Sequence, residues 1–487
     1  MAEEQPVENI AKEETDLNDV FEPVDFPAQK EQEKSDLPAP RPENPTMPAP
    51  KKRKTGKIVL SVLGGVLIAA SSFFAGMLVH KSTLDDDLLT IAKLKNTIQK
   101  YYYQEISDDE FYSVLYRAVN DGLLDDYSHY LPAEELAKEM KESQGGYVGF
   151  GLTFYTTAVT PDKGLYIARV SGNSPAERAG IRSRSYLTGY GETEQSIEPF
   201  TTYEKFSQFC ENAAVGKEVV LEVKDGESAP KRTVKVARGE YVENYVYYRA
   251  ATTAYSFAGE TAEELTPLSN EYYLPIAQDT AYIELTSFNG GAAEQFGVAM
   301  EQFRVEGKKN LVLDLRSNGG GYMDILCGIA SYFCKSGKGM NPTVAIAKYR
   351  DGREERFTAH RNDYGEYFAT DSRICVLADQ NTASASECLI GAMIDYGACA
   401  YADVCLTDSG NGGKTFGKGI MQSTYYLTLV GEKDAVTLTS ATVHWPVSKN
   451  CIHGRGVLVA DGTKTVAYSI EGDQELLAAL AALGLNA

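Results

Sequence analysis

Three short segments of the 487-residue chain carry residue types that could act on a carbonyl group. In NTASASECLIGAMIDYGA, Asn381 to Ala398, Ser384 follows the apolar run ICVLAD and falls at a strand-to-helix junction. A hydroxyl there is exposed, and first-turn N–H groups beside it lack intrahelical acceptors. That suits a nucleophile, and it equally suits a helix N-cap, the usual role of Ser and Thr before a helix. In KTFGKGIMQ, Lys414 to Gln422, Lys418 is set among glycines, Phe416, Ile420 and Met421. A lysine acts as a general base only when neutral, so its pKa of about 10.4 must fall through burial away from carboxylates. The apolar neighbours allow this; a solvated or anion-binding lysine is the plainer reading, and the GxxxxGK[ST] order of a phosphate loop is absent. In NLVLDLRSNGGGYMD, Asn310 to Asp324, the glycines would let backbone N–H groups converge on a negative oxygen, or simply make a turn.

The elements around these segments predict how they are held. From about residue 241 to 487, β runs (AYIELTSF, NLVLDLR, ICVLAD) alternate with helical runs (GAAEQFGVAMEQFRVEG, MDILCGIASYFC, SASECLIGAMIDYG), the pattern of a layered α/β core with parallel pairing. Residues 144–240 read as short strands separated by glycine turns, with one helical stretch at Thr202 to Ala213. Residues 85–143 read as two or three helices, and Ser107 with Glu110 offers a capping box. The fold class is therefore mixed α/β (α+β) with more than one folded unit.

Residues 1–57 carry 13 acidic and 4 basic side chains up to position 50, many prolines and few large apolar groups, and end in the basic cluster KKRKTGK. Such a composition does not bury enough surface to offset chain entropy. Residues 58–79 are 22 positions without a charge. At about 1.5 Å per residue they are long enough to span a membrane, and too long and too far in for an ordinary signal peptide. The basic flank places the small tail in the cytoplasm and everything after residue 80 outside. A net charge of −21 with no basic stripe argues against nucleic acid. The eight cysteines and five histidines show no CxxC, HExxH or paired-ligand spacing, so no metal is expected.

Taken together and in this order, the segments resemble the carboxy-terminal processing proteases, also known as tail-specific proteases. DLRSNGGG, TASASE with GAMIDYG, and TFGKGIMQ are similar to that family's three catalytic segments; NDGLLDDYSHYLPAEE and SGNSPAERAGI are similar to its upstream and PDZ motifs. The resemblance covers roughly residues 88 to 460 and implies a serine endopeptidase without a cofactor. By motif, Ser384 corresponds to the nucleophile, Lys418 to the general base and Gln422 to the residue that orients the lysine amine. The amides of Ala385 and Gly320 would make the oxyanion hole, with Gly319 the alternative donor. Gly149, Phe150, Gly151 and Leu152, in GGYVGFGLTF, correspond to the PDZ loop that receives a protein's free C-terminus. This chain departs from the family pattern in placing the lysine 34 positions after the serine, the excess falling in CLTDSGNGGK, Cys405 to Lys414. A catalytically silent PDZ-containing binding or scaffold protein is the alternative, and self-association is left open.

Overall fold

The computed structural model describes residues 86–487 except 155–158, 161–162, 184, 227, 252–253, 258–264, 269–274, 336–340, 428–433, 470–471 and 486–487. The acidic tail and the apolar segment 58–79 lie outside the described residues. No described helix is long and apolar enough to cross a membrane. The chain divides into two compact units at Lys100. Of the first, the helix Asp86–Tyr101 is described, with Asp86 and Asp87 in its first turn and Lys100 in its last, matching the helix dipole.

The second unit is built on an eight-stranded sheet. Its five consecutive strands Thr280–Leu285, Asn310–Asp314, Ile374–Ala378, Val404–Asp408 and Lys464–Ala467 are all parallel. Side chains alternate across a strand, and this sheet is covered on both faces. Ala281, Ile283, Leu311, Leu313 and Val376 pack under the helices Ala292–Val305, Met323–Ala330 and Ala385–Asp395. Tyr282, Val312, Cys375 and Leu377 face Leu476, Ala479, Leu480 and Leu483 of the helix Gly472–Leu483. Two-sided burial explains why these strands read as near-continuous apolar runs.

A second sheet is centred on Ala435–His444, which pairs with Ile420–Tyr426, Thr343–Tyr349 and His129–Leu131. The last pairing modifies the expectation of a purely helical 85–143 segment. Helices do form at Asp108–Leu123 and Ala133–Ser143, and Glu110 N–H donates to Ser107 Oγ at 3.1 Å. Between them the chain adds a strand to the sheet of the lysine segment, with His129 opposite Thr437 and Leu131 opposite Ala435.

Residues 144–240 have a hydrophobic core of their own, including Phe150, Leu165, Ile167, Leu187, Phe206 and Leu221. Its sheet runs Lys231–Ala237, Glu218–Lys224, Ser185–Gly191, Gly164–Ile167, Val159–Thr160. The predicted helix forms at Tyr203–Asn212, and Thr202 caps it by accepting the Lys205 N–H.

Candidate active site

The strand Ile374–Ala378 delivers the chain to a tight connection ending at Ser384, where the helix Ala385–Asp395 begins. Ser384 adopts φ 57° and ψ −116°, a combination that side-chain-bearing residues rarely take and that costs about 1–3 kcal/mol. Such a turn lifts the hydroxyl clear of the helix. The side chain makes no bond to cap the helix, and Ser384 alone among residues 382–393 is not buried. The N-cap alternative therefore does not account for its side chain.

The capping work is done in the other direction, by Glu387. This buried carboxylate accepts the Ser384 N–H at 3.0 Å and the Lys418 N–H at 2.9 Å on one oxygen, and the Gly417 N–H at 2.8 Å and the Thr415 hydroxyl on the other. Burial raises its pKa, and the four donors oppose the rise. A single oxygen shared by two backbone amides brings the serine and lysine residues together across the intervening chain. Phe416 N–H adds a bond to Thr382 O at 3.0 Å. The sequence reading missed Glu387, although its Ser-x-x-Glu spacing from Ser384 is the same capping signature noticed at Ser107 and Glu110.

Lys418 is half-buried, and among the described residues its amine makes no hydrogen bond. Burial lowers its pKa, with Asp125 acting in the opposite sense. Its Nζ lies 4.7 Å from the centroid of the Tyr127 ring. The expected bond from Gln422 to this amine is not made. Gln422 lies next to a register shift in the hairpin, opposite Thr439, and its Nε2 donates to Thr439 Oγ1 at 3.1 Å.

Gly320 approaches Ser384 closely: a Cβ on it would stand 2.8 Å from Ser384 Cβ and 2.9 Å from Ala385 N, at φ 100°. This explains a glycine here on both steric and conformational grounds. The Ala385 N–H has no acceptor among the described residues. The Gly320 N–H, in contrast, donates to Asn318 Oδ1 at 2.9 Å, so the two expected oxyanion donors are not both free in this arrangement. Asn318 is fully buried; its Nδ2 donates to Leu285 O, and its own carbonyl accepts from Ala383 N–H and Ser386 Oγ. It thus fastens the glycine segment to the serine segment.

Gly149, Phe150, Gly151 and Leu152 form one continuous loop. Gly149 closes a strand opposite Gly239, and Leu152 opens another opposite Val170. Phe150 is buried and its carbonyl accepts the Ala176 N–H; the Gly151 carbonyl accepts the Ser171 N–H. A Cβ at Gly151 would lie 2.1 Å from Ser174 Cβ. The loop is thereby locked onto SGNSPAERAGI.

Residues 279–459, which hold all three catalytic segments, match the model of peptidase family S41. That stretch is similar to the S41 peptidases. S41 peptidases are serine proteases, and the chain as a whole resembles the carboxy-terminal processing type. It is 26% identical over 415 residues to a "Probable CtpA-like serine protease" of Staphylococcus haemolyticus, covering 83% of this chain and 72% of that one. A protein of the same description from Staphylococcus saprophyticus is 24% identical over 375 residues, covering 76% of this chain and 64% of the relative. The solved photosystem II D1 C-terminal processing protease aligns with 78% of this chain and 86% of its own length, at 20% identity and a TM-score of 0.42. Four of the five parallel strands, the helix Ala385–Asp395 and the hairpin that follows Lys418 fall inside the matched residues, whereas the strand Lys464–Ala467 follows them and the 144–240 unit precedes them.

Proposed function

We propose that the protein is a membrane-anchored endopeptidase that cleaves exported proteins near their C-termini through Ser384 and Lys418. The observation that carries this reading is the Glu387 oxygen shared by the Ser384 and Lys418 amides, which joins an open, non-capping serine to a lysine whose charge is disfavoured by burial. In the reaction, Ser384 Oγ attacks the scissile carbonyl while Lys418 takes its proton. Lys418 returns that proton to the leaving amine, and water then releases the acyl-enzyme. The Ala385 N–H stabilises the oxyanion, joined by Gly320 once Asn318 gives up its amide, or by Gly319. Gln422 reaches the lysine only by leaving Thr439.

The 144–240 unit serves as a PDZ-like receptor in which loop 149–152 holds the terminal carboxylate and an adjacent strand edge takes the peptide. Two half-exposed rings, Tyr322 at 53% and Phe416 at 50%, flank the glycine and lysine segments and favour apolar side chains near the cleaved bond. Residues 58–79 tether the protein with its catalytic unit outside the cell.

The Gly320 amide committed to Asn318 and the Gln422 side chain committed to Thr439 also fit a silent binding protein that keeps the fold. Incubating an unstructured protein with the full chain, with Ser384→Ala and with Lys418→Ala separates the two. We expect cleavage by the first alone; identical product patterns from all three would remove the peptidase reading.

A further inference from the structure

The Lys418 amine rests on a residue from a distant part of the chain. Tyr127, whose ring centroid is 4.7 Å from Nζ, sits in the turn Asp125–Ser128 between the helix Asp108–Leu123 and the strand His129–Leu131. The turn is held firmly. Asp125 Oδ1 accepts the Tyr127 N–H at 3.1 Å, and Ser128 Oγ accepts the Thr439 N–H at 2.8 Å. Thr439 Oγ1 donates to Asp125 Oδ1 at 3.2 Å and accepts from Gln422. The hairpin that carries the lysine therefore also fixes the turn that carries the ring.

An aromatic ring beside an amine has two opposed effects. Its apolar body displaces water and disfavours charge, while its negative face attracts a cation. Asp125 adds to the second. Other groups close to the lysine segment are Asp126 beside Tyr127, Glu387 on the Lys418 N–H, and Cys451 and His453 against Gly419. Among these, Asp125 is the carboxylate that acts on the amine. Among the described residues the Tyr127 hydroxyl makes no hydrogen bond, and the contact with the amine is made by the ring.

We propose that Tyr127 is a positioning residue for the base: its ring seats the Lys418 amine and keeps water from it, and Asp125, bonded to the Tyr127 N–H and the Thr439 hydroxyl, holds the turn that presents the ring. The inference rests on Lys418 being the base, but its test does not require turnover. In full-length protein carrying Ser384→Ala, trace acetylation of Lys418 by acetic anhydride is followed against pH by peptide mass spectrometry. Tyr127→Phe keeps the midpoint. Tyr127→Ala raises it by about one pH unit as water reaches the amine, and Asp125→Asn lowers it. Should Tyr127→Ala not fold, Tyr127→Gln, which puts a polar chain in the same space, is expected to raise the midpoint as well. An unmoved midpoint in the folded Ala or Gln variant, or a Phe variant that shifts as far as Ala, overturns the inference. Failure of the peptidase reading would show separately, as equal cleavage with and without Ser384.

Discussion

One carboxylate, Glu387, holds the backbone of both Ser384 and Lys418, so its loss acts on geometry before it acts on charge. Glu387→Gln should retain some of the contacts but turn an N–H toward at least one of the amides that now donate to it. We expect kcat to fall about 100-fold with KM little changed, because misplacement of about 1 Å is enough for that; steady-state kinetics on a peptide substrate checks it. Lys418, as the proposed base, makes a second prediction at this scale. Burial holds the Lys418 pKa below 10.5, so the neutral amine accumulates as pH rises and kcat/KM should climb to a plateau before the ordinary lysine range. The sign for stability is the same: between the folded and unfolded pKa values the unfolded chain binds the extra proton, and folding becomes more favourable as pH rises. A kcat/KM that still climbs at the ordinary lysine pKa would contradict a lowered one.

At the scale of elements, the nucleophile helix is fixed by what it cannot accommodate. Gly391 lies on Trp445 so closely that a Cβ would stand 2.2 Å from the indole. Gly391→Ala should therefore destabilise the protein by about 1–3 kcal/mol and lower activity through displacement of Ser384, measurable as a fall in denaturation midpoint. The strands and helices of this layer were legible in the sequence, since two-sided burial gives apolar runs and one-sided helices give three- and four-residue spacing. Ser384 and Lys418 could be picked out by type and setting. Their partners could not: the motif implies a bond from Gln422 to the lysine, whereas a register shift and Thr439 on another strand decide its bond. Likewise the Asn318 bond to Gly320 and the Tyr127 ring over Lys418 depend on how separate segments meet. The strand His129–Leu131 was hidden because three residues are too few to show an alternation.

Across the whole molecule, the strand Asn310–Asp314 is tied to the other face of the sheet. Arg316, one residue past Leu315 in the DLR motif, bonds Asp314 at 2.6 Å and reaches Glu475 on the helix Gly472–Leu483 at 2.7 Å; Glu475 also accepts from Thr407. These charges are nearly buried, and removing one partner strands the rest. Arg316→Leu should cost about 3–5 kcal/mol, seen in chemical denaturation, and weaken catalysis by loosening the glycine segment that follows. The 144–240 unit is connected in the same manner by Arg169 to Glu284 at 2.7 Å, on the strand Thr280–Leu285.

The stretch from Asp408 to Gly413 closes upon itself: Asp408 accepts from Gly410 and Gly412, and Asn411 accepts from Gly413. Because the Glu387 contacts begin again at Thr415, the spacing between serine and base in space is set downstream of this detour rather than by its length. Designers could treat the detour as an adjustable cassette, trimming it or splicing a fluorescent reporter at the exposed Gly410.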